Sequence, residues 1–314
     1  MIYVEILGRM GNQMFSYAMA RKLQSKDPKQ NIAFDFSNFE FNDDTWINYM
    51  EFFKCSNNVC VEKRKLNLVQ RSVLHMYYKK RHRVNTWKDV KALEDRYSNI
   101  LEIFGIYMYT IGYHQFRYKS MFKNKLVMGF YESPRFFDSI KDIIREDFSV
   151  EMNSAYGKEI AEDILKHKAI AVGVRRGDFV SKINKNYCDV CTPKYYEDGI
   201  ETIRNKLENK ETDLKVFFFT DDIEWTEANI ACDLNKEYIT ASVSGELKPW
   251  EMLHLLSLCK YQVISNSSFF WWGQYLNSSL GKIVVAPDKW RNTEEGLYND
   301  IYQENWICIG TEGL

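Results

Sequence analysis

The sequence predicts an α/β protein whose second half is doubly wound around a mostly parallel sheet, and three stretches carry that expectation. Ala169-Ile-Ala-Val-Gly-Val174 is a continuous uncharged run that enters Arg175, Arg176, Gly177 and Asp178, the pattern of a strand covered on both faces and ending in charge. Lys215 to Thr220 repeats the pattern and meets Asp221 and Asp222, while Gln262 to Ser265 runs into Asn266, Ser267 and Ser268. Helical segments of suitable length separate these runs, as βαβ units require. In such a sheet the C-terminal strand ends line one ligand crevice.

Taken in order, Tyr3 to Leu7 reads as a strand, and Gly8 to Gln13 as a tight loop opening a helix that continues to Gln24. The loop glycines and the helix start suit an anion, but the spacing is neither a dinucleotide fingerprint nor a Walker loop. A plain βα turn with Asn12 as the cap is the equal alternative. Asn31 to Phe36 is a second strand. From Glu51 to Tyr118 the pattern loosens, and residues 63–83 are locally basic, read either as a solvated helical face or as contact with a membrane surface. Lys125 to Phe130 returns as a strand, and Ser133-Pro134 starts a helix through Arg145. The boundary falls between Ser149 and Lys158, giving domains of residues 1–150 and 151–314, with the last segment packing back on the first. Helices are expected at Gly157 to His167, Thr192 to Leu207 and Pro249 to Cys259, and further strands at Lys282 to Ala286 and Trp306 to Ile309.

Forty-two basic and 43 acidic side chains give a formal charge of -1, which argues against a nucleic-acid binder. No apolar run approaches the roughly 18 residues of a membrane span, and the start at Met1 shows no leader, so a complete cytoplasmic chain is expected, peripheral at most to the inner membrane face. Seven scattered cysteines fit reduced thiols, and Cys188 and Cys191 read as plain loop thiols rather than half of a zinc site. The sequons at Asn266 and Asn277 and the Arg176-Gly177-Asp178 tripeptide are silent in that setting.

The three polar strand ends form a constellation: arginine for a diphosphate, carboxylate for sugar hydroxyls or base nitrogens, and hydroxyls at a helix start for phosphate. Together they suit a nucleotide-sugar site. If the strand persists to Arg176, alternation lets only one arginine meet the ligand. Each element has a structural alternative: Asp222 as a helix cap, Ser267 or Ser268 as another, and Phe269 to Trp272 as core. Asp221-Asp222 lacks the D-x-D spacing of metal-dependent sugar transfer, so no metal ligands are assigned and arginine takes that charge.

Gly8-Arg-Met-Gly-Asn-Gln-Met-Phe15, Gly129-Phe-Tyr-Glu-Ser133, Val174-Arg-Arg-Gly-Asp-Phe179, Phe218-Phe-Thr-Asp-Asp222 and Ser265-Asn-Ser-Ser-Phe-Phe-Trp-Trp-Gly273 appear in this order. Together they resemble the bacterial α-1,2-fucosyltransferases of glycosyltransferase family 11. Lys282 to Pro287 and Glu304 to Ile307 continue the likeness, which thins between Asp43 and Gly112.

The resemblance implies a GT-B-like enzyme with two Rossmann-like domains facing a cleft, the first on the acceptor side and the second binding the GDP-sugar. It would move L-fucose from GDP-β-L-fucose to the 2-hydroxyl of a terminal galactoside or lipid-linked glycan, with inversion and no required cofactor. Arg175 would stabilise the β-phosphate, Arg176 would brace the fold around Asp178, and Asn266, Ser267 and Ser268 would hold phosphate. Asp221 or Asp222 would hold ribose or guanine. Arg9, Asn12 and Gln13 belong to a loop that lies beside the diphosphate in related O-fucosyltransferases. The sequence does not name the general base; Asp178 is a candidate for it, and holding an arginine is its alternative role. The family motif begins with a histidine where this chain has Gly173, so a backbone amide or another side chain should fill that space. A different GT-B donor, or a sugar-binding relative without turnover, is the competing reading.

Overall fold

A computed structural model describes residues 1–39, 46–55, 59–181, 184–207, 213–292 and 296–311. They cluster into two compact units, Met1–Ser149 with Glu294–Tyr302, and Val150–Thr293 with Gln303–Leu314. All strand pairings among the described residues are parallel.

The first unit contains β1 (Ile2–Glu5), α1 (Met10–Gln24), β2 (Ile32–Asp35), β3 (Val59–Val61), α2 (Leu68–Arg81), α3 (Trp87–Ile103), β4 (Ile106–Tyr109), β5 (Lys125–Gly129) and α4 (Lys141–Asp147). Its sheet has the order β3-β2-β1-β5-β4. Tyr77 of α2 and Leu101 of α3 pack with Tyr3, Ile106 and Leu126 over one face. The loosely patterned stretch thus contains β3, two helices and β4, and neither strand is read from the sequence. The expected helix from Ser133 to Arg145 is broken instead. Ser133 caps a 3-10 turn at Pro134–Phe136, a second turn covers Asp138–Ile140, and only then does α4 begin. Burial of the adjacent Phe136 and Phe137 pulls consecutive side chains inward, which a single helical stripe cannot do.

Glu94 of α3 is buried beneath the end of β4, where its Oε2 accepts the Thr110 and Ile111 amides at 2.9 and 3.4 Å. Oε1 has no hydrogen-bond partner among the described residues. Burial raises the carboxyl from 4.5 to about 7 against these stabilising bonds. Because the folded value lies above the unfolded one, the contribution to stability is complete below pH 4.5 and is lost as pH rises through about 7. The full loss is about 3 kcal/mol, at 1.36 kcal/mol per pH unit. Urea denaturation at pH 5 and pH 8 should show this decline, and Glu94→Gln should flatten it. An unchanged slope in the variant would remove Glu94 as its source.

The second unit contains α5 (Ala155–Lys166), β6 (Lys168–Val174), α6 (Lys185–Cys188), α7 (Pro193–Lys206), β7 (Leu214–Thr220), α8 (Ile223–Asn229), β8 (Asn235–Ile239), α9 (Pro249–Leu258), β9 (Tyr261–Ile264), α10 (Ser268–Leu276), β10 (Ile283–Pro287) and β11 (Ile307–Ile309). The order β11-β10-β9-β6-β7-β8 is that of a doubly wound sheet, with winding reversing between β6 and β9. Ile170, Val172, Phe218 and Val263 form its core with Tyr195, Ile200 and Ile203 of α7. Ser154 caps α5 and Thr192 caps α7, each accepting an amide three residues on. β8 was not anticipated: Asn235-Lys-Glu-Tyr-Ile is a polar edge strand that carries little apolar signal.

Candidate functional site

The end of β6 leaves the sheet at the switch point, where α/β proteins hold ligands. The strand stops at Val174, and Arg176 precedes a 3-10 turn at Gly177–Val180. The alternation expected from a strand running through Arg176 therefore does not apply. The two arginines still separate, by their partners. The Arg175 guanidinium forks between two carboxylates, with Nη1 donating to Asp221 and Nη2 to Asp178. A planar fork held on two sides in this way is preoriented while keeping donors for a ligand. Gly177 permits this closeness, since a Cβ there would lie 2.7 Å from Asp221 Oδ2.

Arg176 braces the fold: its carbonyl accepts the Phe179 and Val180 amides of the turn that holds Asp178, at 2.8 and 3.2 Å, and its side chain packs on a neighbouring helix. Its guanidinium lies 3.8 Å from the centroid of the Trp225 ring on α8, and its Nε is 3.8 Å from Asp222 Oδ2. Its backbone amide donates to Asp221 at 2.8 Å. Asp222 caps α8, accepting the Trp225 amide at 3.0 Å, so the helix-cap alternative describes its geometry. Asp221 is the carboxylate that joins both arginine residues. Beneath them, the buried Tyr196 hydroxyl sits against the Arg175 backbone and the Cys191 thiol, and burial raises it well above the usual phenol value. It is a neutral support.

β9 enters α10 through Ser265, Asn266 and Ser267. The Ser265 amide donates to the Gly173 carbonyl at 3.2 Å, which ties this turn to β6. Asn266 is a strut: Nδ2 donates to the carbonyls of Cys188 and Trp290 at 3.0 and 2.9 Å, and Oδ1 accepts from Cys191 Sγ. The side chain assigned to phosphate is thus already engaged. Ser267 occupies the cap position of α10 without making a side-chain cap bond. The α10 start has no acidic residue in its first turn, and its leading amides have no intrahelical acceptor. Ser267 and Ser268 therefore frame an anion-competent helix start. Phe270, Trp271 and Trp272 are buried, in keeping with the core alternative. Neither Cys188 nor Cys191 is in a disulfide, and burial pushes the Cys191 thiol up to about 12.

The space of the missing histidine is filled by Phe270. A Cβ added to Gly173 would lie 2.5 Å from Phe270 Cδ1, so the ring rests directly on the glycine. Sequence reasoning missed Phe270, Trp225 and Tyr196 as supports. A glycine inside an otherwise branched strand was the available signal for close approach at 173.

Arg9, Asn12 and Gln13 lie in the first unit, at the C-terminal end of β1. The helix starts at Met10 with Arg9 in the cap position, so Asn12 is inside the first turn rather than the cap. Gln13 is fully buried: Nε2 donates to the Gly8 and Ile47 carbonyls at 3.1 and 2.8 Å, and Oε1 accepts the Tyr49 amide at 3.0 Å. It fastens the loop. The Arg9 guanidinium stands 5.9 Å from the centroid of the Trp46 ring.

The profile of glycosyl transferase family 11 matches residues 1–310. An Escherichia coli alpha-1,2-colitosyltransferase is 33% identical over 184 residues, covering 58% of this chain and 61% of its own. The Escherichia coli O-antigen biosynthesis glycosyltransferase WbnK is 27% identical over 312 residues, covering 92% of this chain and 94% of its own. Among solved structures, fucosyltransferase NodZ from Bradyrhizobium matches with a TM-score of 0.53 at 12% identity, covering 87% of this chain and 92% of that one. NodZ alpha-1,6-fucosyltransferase co-crystallised with GDP gives the same TM-score and identity, over 87% of this chain and 91% of that one. The fold is GT-B-like, with a parallel sheet in each unit.

Proposed function

The chain belongs to glycosyl transferase family 11, and on that premise we propose that it transfers L-fucose from GDP-β-L-fucose to the 2-hydroxyl of a terminal galactoside, with inversion. One observation supports the donor assignment above the rest: Arg175, gripped by Asp178 and Asp221, leaves the sheet at the strand neighbouring the one that feeds the α10 start. As the glycosidic bond breaks, negative charge gathers on the departing β-phosphate. Arg175 meets that charge without reorganising, and the Ser267-Ser268 helix start offers amides and hydroxyls to the same diphosphate. Asp221 orients the arginine in this scheme rather than contacting ribose. The anomeric carbon acquires oxocarbenium character, and a base takes the acceptor proton. Charge stabilisation by arginine and a helix start requires no metal.

A second reading, transfer of a colitosyl group, is favoured by the 33% identity to a colitosyltransferase. The deciding experiment incubates the full chain in EDTA with β-galactosides and a donor panel of GDP-fucose, nucleotide-activated colitose, UDP-sugars and CMP-sugars. GDP release from GDP-fucose and a product heavier by one deoxyhexose, linked at O2 by NMR, is expected. Turnover with the colitose donor alone would establish the second reading. Turnover only with UDP- or CMP-sugars, or only after metal addition, would refute the donor or the metal-free scheme.

A further inference from the structure

We propose that the outer face of α2 is a docking surface for an anionic lipid bilayer. The inner face of this helix is spent: Tyr77 is buried in the first unit's core, and Gln70 Nε2 bonds the Phe104 and Asn124 carbonyls, both at 2.9 Å. The opposite arc is bare, with Leu68 79%, Met76 57% and Val69 47% exposed. Scattered exposed apolar residues need no explanation, but these share one helix face with Arg71 and Lys79.

The charge pattern supplies the partner. Residues 63–88 contain no Asp or Glu. Arg71, Lys79, Arg83 and Lys88 make no ion pair among the described residues. Elsewhere, bases at the surface do pair, as in the exposed Lys54 with Glu146 at 2.6 Å and the half-buried Arg204 with Asp233 at 3.1 Å. Unpaired basic side chains around exposed aliphatic ones match an interface with anionic headgroups outside and acyl chains within. A polyanion such as RNA would use the bases and leave Leu68, Val69 and Met76 without a counterpart. Trp87, 39% exposed at the start of α3, adds an amphipathic ring of the kind found at headgroup depth. No helix among the described residues is long and apolar enough to cross a membrane, so α2 would lie in the interface plane. The whole chain carries a formal charge of only -1, so attraction to an anionic surface must come from a local patch.

This surface is independent of the transfer reaction, and its test needs no substrate. Flotation of the full chain with phosphatidylcholine vesicles, with and without phosphatidylglycerol, should show binding only to the anionic vesicles and release by salt. Arg71→Glu with Lys79→Glu should lower the vesicle partition coefficient at least tenfold, at about fivefold per basic charge removed, and Leu68→Ser with Met76→Ser should separately lower it by removing the apolar contact. Thermal melting of both variants should be unchanged, since the residues are exposed. No binding, equal binding to neutral vesicles, or binding that survives both pairs of substitutions would overturn the proposal. So would tight binding to heparin that the serine pair leaves intact, which would mark the patch as a polyanion site.

Discussion

Replacing Arg175 with alanine is expected to lower the transfer rate by about two to three orders of magnitude, the cost of removing one preorganised donor from a developing oxyanion. The two carboxylates that grip it would make matters worse, since Asp178 and Asp221 would then face the diphosphate without their cation. Single-turnover measurements with saturating GDP-fucose should place the loss in the chemical step, with melting little changed because the cluster is partly exposed. Arg176→Lys should behave oppositely. It loses a planar guanidinium from the Trp225 face, worth about 1 kcal/mol, and should lower stability while sparing the rate. Asp178→Asn separates that residue's two candidate roles. If Asp178 only orients Arg175, the rate should fall about tenfold with an unchanged pH profile. Disappearance of the acidic limb would make it the base. Equal rate losses for Arg175→Ala and Arg176→Lys at equal stability would refute the division altogether.

The sequence announced the strands that bury both faces, because branched and aromatic runs such as Val216 to Phe219 have no other economical placement. It was silent on β8, whose Asn235, Lys236 and Glu237 read as loop although the backbone completes the sheet edge. β4 was hidden differently: Ile-Tyr-Met-Tyr sits in an aromatic-rich region where Tyr107 and Tyr109 could as well mark a helix. At the site, position along the chain placed Arg175, Asp221 and Ser267 at neighbouring strand ends of one sheet. It could not tell which carboxylate each arginine would meet. Asp178 lies three residues from Arg175 and Asp221 lies 46 away, yet the fork spans both. Nor could spacing show that Asn266 and Gln13 would be consumed by backbone carbonyls, since amide side chains that fix loops and those that bind ligands look alike until partners are seen. Electrostatic steering of this kind is settled by tertiary approach rather than by local pattern.

Gly173→Ala is expected to destabilise the second unit by about 1–3 kcal/mol, the range for overpacking a filled core, and to slow transfer as well. The added methyl would meet Phe270 at 2.5 Å. That ring cannot easily yield: it is 3% exposed and edge-on to Phe269, with centroids 5.3 Å apart. Since Phe270 belongs to the first turn of α10, any displacement also moves the helix start that Ser267 and Ser268 frame. Stability and rate should therefore fall together here, unlike at Arg175. Gly173→His, which restores the side chain of the family motif, should be worse than alanine despite that resemblance, because the imidazole needs the volume the phenyl ring holds. Phe270→Ala alone should cost about 3–5 kcal/mol as a cavity. Combined with Gly173→Ala, it should cost less than the sum, with a coupling of about 1–3 kcal/mol measured by a double-mutant cycle. A strictly additive cycle would mean that the ring does not rest on the glycine. Recovery of activity by Gly173→His with Phe270→Ala, relative to Phe270→Ala alone, would show that the two residues are alternative ways of filling one space beside the arginine strand. The glycine then carries no catalytic deficit of its own: it is the half of a packing pair that lets an aromatic ring set the distance between β6 and the α10 amides.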